Sequence, residues 1–544
     1  MALDTEQQSS ARGPAQPSFV FRGHTAQIHS AHIVCRNTCL VTGDADGWVV
    51  LWKLETKRAL AVWKAHDGAI LETSMWGSDR FITHGRDHSL RIWQLDPSNT
   101  ATFSKALPAE GADIDRPKPW LLHSLPVNTL NFCAFSVYHD RHVSQDSHPE
   151  QSHASASSVL VAVPARDDKK VEVYQFPQEK LVCVVPKVES RDTGMVMAVK
   201  LVHHSLSNNI LIAVGYEGGF ISVYTTPHPP PQDPQAPRNP IQIAQLVYLS
   251  QPHSQPILSL DALPQDETTF FTSSADAIIA THTIKDLPIN DAPAIQWMDQ
   301  GGAGAEDVFK KTANPNQKND ITSSTHDDIE PRVSAVSDSD SNTTSRVVQD
   351  QASSLVQPAS TSLLDFTKKT VPPSANNTTA TATSTKQGGL SSLFSNAAEP
   401  QPRSKPPQPS PPKPVIPQPP HKFTNTKHAG QQSLRVRSDG RLLVTGGWDK
   451  RVRIYSTKTL KEVAVLKWHA EGVYAVDFGE IMNMEDVAAG NAKDEQEHAE
   501  GGDEVAKRET GLGRLQRQRE ERMQVKHWVV SGAKDGKVSL WEVF

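Results

Sequence analysis

Four stretches of this chain carry the same residue types at the same spacing. They are "LVTGDADGWVVLWKL" (40–54), "FITHGRDHSLRIWQL" (81–95), "LVTGGWDKRVRIYST" (443–457) and "VVSGAKDGKVSLWEV" (529–543). Each runs from apolar residues through a hydroxyl residue, a polar turn and an Asp into a period-2 alternation that ends on an aromatic ring. Thr42, Asp46 and Trp52 are separated by four and six residues. So are Thr83, Asp87 and Trp93; Thr445, Asp449 and Tyr455; and Ser531, Asp535 and Trp541. A His lies upstream of each set: His24, His66, His428 and His469. The alternation marks half-buried strands, and Asp46-Gly47 and Asp535-Gly536 are tight-hairpin signals.

The frame extends into the middle of the chain. Asp168 and Tyr174 fall in register; Val214, Gly218 and Tyr224 give a degenerate copy; Thr272, Asp276 and His282 give a fuller one, with His253 upstream. Seven units result, and the first two lie about 41 residues apart, the period of a four-stranded propeller blade. A blade of four short strands exposes two faces, and stacking blades around an axis buries both. The ring residue of strand c, the hydroxyl of strand b, the His of the d–a loop and the Asp of the b–c turn are expected to form one buried hydrogen-bonded chain per blade. Ser, His and Asp together also suggest a catalytic triad. A triad occurs once, however, and this set recurs at fixed spacing, so the reading is structural.

The last unit lacks a fourth strand, whereas "SFVFRGH" (18–24) places an apolar strand ahead of the first His. The expectation is that this N-terminal strand supplies strand d of the seventh blade and closes the ring, leaving no bare edge. Residues 1–17 are then a flexible N-terminus, 18–286 hold blades one to five with 18–22 completing the last blade, and 422–544 hold blades six and seven. Four insertions break the period, at 97–118, 227–240, 287–421 and 482–526. All four are expected on the face opposite the His and Asp loops, since c–d and a–b connections lie there.

The segment 287–421 is rich in Ser, Thr, Asn and Pro and is expected to be disordered. It ends in a polyproline II stretch with 11 prolines between Pro400 and Pro420. It also carries two apolar islands, 362–366 and 389–394, and a candidate phosphorylation cluster at Ser337, Ser339 and Ser341. The insertion 482–526 is acidic first and basic later. Its basic part, with Arg514, Arg517, Arg519 and Arg522, is expected to be a solvent-exposed helix held by intrahelical ion pairs.

Composition narrows the function. Net charge is −6 across 544 residues, which disfavours a sequence-independent grip on nucleic acid. Cys35, Cys39, Cys133 and Cys183 lack the paired spacing of a zinc site, so no metal is expected. The start has no apolar signal region and no run approaches 18 apolar residues. These features point to a reducing, intracellular setting, with no cofactor, no direct membrane contact and no convergent polar groups at the central channel of the kind an enzyme needs.

"LPVNTLNFCAFS" (125–136), "GYEGGFISVY" (215–224), "TGGWDKRVRIYS" (445–456) and the terminal "SGAKDGKVSLWEV" are more specific than a generic repeat. With "FRGH" they resemble the fungal ASTRA-associated protein family of WD-repeat proteins, related to the animal guanine-nucleotide-binding-protein beta-like family. The resemblance covers 18–96, 120–285 and 422–544. It implies an all-β fold, a seven-bladed WD40 β-propeller with long disordered insertions. It further implies a nuclear, non-catalytic scaffold subunit of the ASTRA complex. That complex is linked to chromatin regulation and to the maturation of PI3-kinase-related kinases with cochaperone and AAA+ helicase-like partners. The alternative is an adaptor of another complex, a ubiquitin-ligase substrate receptor or a G-beta-like signalling subunit. The residue before each turn Asp should project at the rim of the compact face. Ala45, Arg86, Trp448 and Lys534 occupy those positions, and Arg86, Trp448 and Lys534 are the candidate partner-binding residues.

Overall fold

The computed structural model describes residues 15–97, 100–111, 116–129, 133–140, 158–229, 240–285, 287, 415–490 and 511–543. Most of the long insertion, with its apolar islands and its serine cluster, lies outside the described residues. The acidic run 491–510 lies outside them too.

Seven antiparallel sheets form the blades. Strands a to d are Ile28–Val34, Cys39–Asp44, Trp48–Lys53 and Arg58–Lys64 in blade one. In blade two they are Ile70–Trp76, Arg80–Gly85, Ser89–Gln94 and Trp120–Pro126. Blade three has Ser136–His139, Val159–Pro164, Val171–Phe176 and Lys180–Val185. Blade four has Val196–His204, Asn209–Tyr216, Ile221–Pro227 and Gln245–Ser250. Blade five is Ile257–Leu263, Asp266–Ser274, Ile278–Thr283 and, beyond the long insertion, Lys422–Asn425. Blade six is Gln431–Val436, Leu442–Gly447, Arg451–Ser456 and Glu462–Lys467. Blade seven takes Val473–Phe478, Trp528–Ala533 and Val538–Glu542 from the end of the chain.

Its fourth strand is Phe19–Phe21, paired antiparallel with Phe19 opposite Leu540, Val20 opposite Ser539 and Phe21 opposite Val538. The ring is closed by the N-terminal strand, as the bare edge of the last unit required. Apolar side chains gather in seven clusters among the described residues, one at each blade–blade interface. The closing interface is as full as the others. Phe21 is buried, its ring centroid 5.1 Å from that of Trp52, and it shares a cluster with Ile28, Val530 and Leu540.

Six of the seven b–c turns reverse tightly through a residue in the left-handed conformation. Gly47, Gly219 and Gly536 take that conformation, and a Cβ on Gly47 would lie 2.0 Å from the carbonyl oxygen of His66. Each such turn is therefore packed on the His loop of the next blade.

The insertions do not all crowd one face. Residues 100–111 leave the underside of blade two and climb the outer edge of blade one. Val62 donates its backbone N–H to Ser104 at 2.9 Å, and Ala109 donates to the Gly23 carbonyl at 2.9 Å, beside the His24 loop. The Arg116 guanidinium fixes the strap by donating to the carbonyls of Ala106, Leu107 and Gly111, and it sits 4.7 Å from the Trp48 ring centroid. Residues Gln242–Ile243, from blade four's insertion, pair parallel with strand d of blade three. Gln418 donates to the Leu249 carbonyl at 2.8 Å on strand d of blade four. In all three cases the c–d connection of one blade covers the outer edge of the preceding blade. An outer strand left open is a template for unwanted pairing, and this routing covers three of them.

Candidate functional site

The recurring polar sets are buried inside the blades, and their geometry fixes the protons. In blade one Trp52 Nε1 donates to Thr42 Oγ1 at 2.9 Å, Thr42 lies 2.7 Å from His24 Nε2, and His24 Nδ1 lies 2.7 Å from Asp44 Oδ2. A single tautomer satisfies the chain: His24 donates from Nδ1 to the carboxylate and accepts from Thr42 at Nε2. The acid is Asp44, not the expected Asp46, which is exposed. Asp44 sits at the end of strand b, directly under His24. Its other oxygen accepts the backbone N–H groups of Asp46 and Trp48, each at 3.0 Å, and so shapes the turn that Asp46 was expected to anchor.

Blade two follows the expected pattern. His66 contacts Asp87 at 2.8 Å and Thr83 at 2.7 Å, and Trp93 Nε1 donates to Thr83 at 2.8 Å. Asp87 also accepts from Ser89 at 2.6 Å. Burial works to raise the Asp87 pKa, but His66 and the donated hydrogen bonds hold it well below the usual carboxylate range. Blade five keeps the pattern with a His at the ring position. His253 spans Asp276 at 3.1 Å and Thr272 at 2.8 Å, and His282 Nε2 lies 3.1 Å from the same hydroxyl. Tyr248 OH lies 3.0 Å from His282 Nδ1, so His282 works as a neutral ring that donates at one nitrogen and accepts at the other. Burial lowers its pKa to about 3.

Blades six and seven depart further from expectation. In blade six, His428 is half-exposed and lies 3.5 Å from Asp449, too far for a hydrogen bond. Gln431 replaces it inside, accepting the Thr445 hydroxyl at 2.7 Å, while Arg453 takes both oxygens of Asp449 at 3.0 and 2.5 Å. A permanent cation on the same strand outcompetes a neutral ring for the carboxylate. Tyr455 stays buried in the interface with blade five. In blade seven, Trp541 donates to Ser539 at 2.7 Å instead of to Ser531. The two hydroxyls lie 2.6 Å apart, and both face His469 Nε2, at 3.0 Å from Ser531 and 2.8 Å from Ser539. Asp535 is 3.9 Å from His469 because Lys537 holds it at 3.0 Å. Burial brings the His469 pKa down to about 4. Among the described residues blades three and four hold no such set: Tyr174 donates to Glu172 at 2.9 Å and Tyr224 to the Pro186 carbonyl at 2.9 Å.

The central channel is not bare of convergent polar groups. It encloses about 710 Å³ and is lined by the a strands. His32 of blade one stands 2.5 Å from Glu72 of blade two and 3.2 Å from Asp477 of blade seven. Arg435 of blade six reaches Glu72 at 2.7 Å, and Lys200 of blade four reaches Asp261 of blade five at 2.7 Å. Burial alone would lower His32, but Glu72 and Asp477 against its two nitrogens raise its pKa to about 9. Glu72 would rise on burial; His32 and Arg435 hold it well below its ordinary value instead. Three cations meet three anions, each paired. This belt ties six blades together across the axis, and its charges are spent on one another.

Residues 17–396 match the family described as ASTRA-associated protein 1, and residues 419–456 match the WD domain, G-beta repeat. The chain belongs to the ASTRA-associated protein 1 family. The family member of Penicillium rubens is 32% identical over 553 residues, covering 98% of each chain. That of Pyricularia oryzae is 35% identical over 533 residues, again covering 98% of each. In Schizosaccharomyces pombe the identity falls to 23% over 487 residues, with 85% of this chain and 93% of the relative aligned.

In this member of the ASTRA-associated protein 1 family, the rim residues are held by a repeated backbone bond. Ala45 donates to Gln27 at 2.8 Å, Arg86 to Ala69 at 2.8 Å, Trp448 to Gly430 at 3.0 Å and Lys534 to Gly472 at 2.9 Å. Arg86, Trp448 and Lys534 are all exposed. Trp448 lies flat on Gly430, where a Cβ would come within 2.1 Å of the indole. Its Nε1 donates to Gln432 at 2.8 Å, yet 47% of it faces solvent at the channel mouth, near Tyr474 and His29. His29 has its pKa lowered by burial and also by the charge of Arg86, with Asp44 opposing.

Proposed function

We propose that this chain is a non-catalytic WD40 scaffold subunit of the ASTRA complex, acting in the nucleus in chromatin regulation and in the maturation of PI3-kinase-related kinases with cochaperone and AAA+ helicase-like partners. The observation that carries the reading is the full-length relationship to proteins named ASTRA-associated protein 1. The geometry supports it. Every His–hydroxyl set is sealed inside a blade, and the channel charges are paired among themselves, so the polar groups serve rigidity. What faces outward is an indole beside cations on a fixed rim, a combination suited to a protein interface.

The test is affinity purification of the intact chain and of Trp448→Ala combined with Arg86→Glu, each followed by mass spectrometry. The reading expects ASTRA components, cochaperones and AAA+ partners with the intact chain, their loss from the double variant, and an unchanged melting temperature. Recovery of a cullin adaptor in their place would favour the ubiquitin-ligase alternative. Equal recovery of every partner by the double variant would remove the rim from the mechanism.

A further inference from the structure

The helix Gly511–Gln524, for which intrahelical ion pairs are expected, is also held from outside itself. Glu520 pairs with Lys53 of blade one at 2.5 Å. Met523 packs into the interface between blades seven and one, and its carbonyl accepts Trp528 Nε1 at 2.8 Å. The Gln524 carbonyl accepts the Asn37 amide at 2.7 Å, and Asn37 is itself buried. The helix is thus bolted to the ring along one face near its C-terminal end. On another face Arg514, Leu515, Gln518, Arg519 and Arg522 are exposed, Leu515 by 54%. A helix that buries so little gains little stability from being held. Its rigid anchoring serves presentation.

At 100° per residue, Arg514, Gln518 and Arg522 fall on one stripe, flanked by Leu515 and Arg519. Eight residues at 1.5 Å rise set Arg514 and Arg522 about 12 Å apart. In an extended peptide, side chains four residues apart on one face are separated by roughly 13 Å. Guanidinium groups recognise carboxylates bidentately. Nucleic acid fits less well, since Glu520 and Glu521 lie on the same helix and its four arginines make few phosphate contacts.

We propose that this helix is a docking site for an acidic peptide segment of a partner protein, one with carboxylates four residues apart and an apolar residue between them that meets Leu515. The proposal concerns a surface apart from the Trp448 rim and does not depend on which assembly the chain joins.

The test uses the full chain and a fluorescein-labelled peptide of three Glu-Ser-Leu-Thr repeats, read by fluorescence anisotropy at low and at 300 mM salt. Saturable binding that weakens with salt is expected. The combined variant Arg514→Gln, Arg519→Gln and Arg522→Gln, which keeps helix propensity, should bind at least tenfold more weakly at an unchanged melting temperature. Replacing Leu with Ser in the peptide should weaken binding severalfold. Binding of the triple variant within twofold of the intact chain, or no binding of the peptide by the intact chain, overturns the proposal. So does tighter binding of a twenty-nucleotide single-stranded RNA through the same arginines, which would make the partner a nucleic acid.

Discussion

Replacing Phe21 with Ala asks whether the three-residue N-terminal strand holds the ring or merely rests on it. Phe21 is 2% exposed, wedged against Trp52 and shared between the last blade and the first. Removing a buried Phe side chain costs about 3–5 kcal/mol. Unfolding entropy is on the order of 2.1 cal/mol/K per residue; over the roughly 350 described residues, that converts the loss into a melting shift of about 4–7 °C. A residue on a tail that packs on nothing would cost less than about 0.5 kcal/mol, a shift below about 1 °C. Differential scanning calorimetry separates these outcomes. Hydrogen exchange adds location: amides of Val538–Glu542 should lose protection first, while Asn209–Tyr216 in blade four keeps its own. A shift below 1 °C, or protection lost equally in both blades, would refute closure by this strand.

Three further outcomes follow from the same geometry. Asp44→Asn should destabilise the chain by about 2–4 kcal/mol, because it breaks a buried pair and the turn above it, whereas Asp46→Asn should change chemical-denaturation midpoints little. His66→Ala should cost about 3 kcal/mol or more by leaving Asp87 and Thr83 without their buried partner, while His428→Ala should cost under about 0.5 kcal/mol, since Gln431 already serves Thr445. The melting temperature should fall between pH 6.5 and pH 4. His84, His282 and His469 have folded pKa values lowered by burial to about 3, about 3 and about 4. The unfolded chain therefore takes up protons near pH 6.5 that the folded chain refuses, and three such groups give a slope of about 4 kcal/mol per pH unit near pH 5. His32, raised to about 9, acts in the opposite sense: its stabilisation is complete below pH 6.5 and is lost as pH rises through 9. A flat melting temperature between pH 7 and pH 5 would show that these rings are not buried neutral.

The strands and most of the hydroxyl, ring and His positions were legible because their spacing is set by the blade, and in blades one, two, five and six only three residues separate strand b from strand c. The acid was harder to read. Asp44 and Asp46 both lie within reach of the same turn, and only the depth of each carboxylate beneath His24 distinguishes them. Gln431 and Ser539 were missed for a related reason. A hydrogen-bond role can pass to any residue whose side chain reaches the same point, so Gln431 acts from strand a in place of a loop histidine. The strap 100–111 was invisible because its partners, Val62 and Gly23, lie in blade one and the entry loop, and no local pattern marks such contacts.

The channel belt, by contrast, left a signal that spacing alone could expose. His32, Lys200, Asp261, Arg435 and Asp477 are each the fifth residue of their strand a. A charge there in a single blade would be an unpaired ion in a narrow channel, at a cost of several kcal/mol. The position is tolerable only when neighbouring blades supply the opposite sign. Blade two has Ser74 at its fifth position, and Glu72, two residues earlier, supplies the anion that both His32 and Arg435 require. The six charges therefore form one cooperative unit, and Glu72→Gln should cost more than His32→Gln. It takes the contact anion from Arg435 and leaves His32 with Asp477 alone, whereas the His32 change leaves Glu72 still paired with Arg435. Chemical denaturation of the two variants and of the double variant tests this: the double should cost clearly less than the sum, because the first change has already broken the shared contact. Additive losses would show the pairs to be independent, and the belt would then be separate contacts that happen to share the channel.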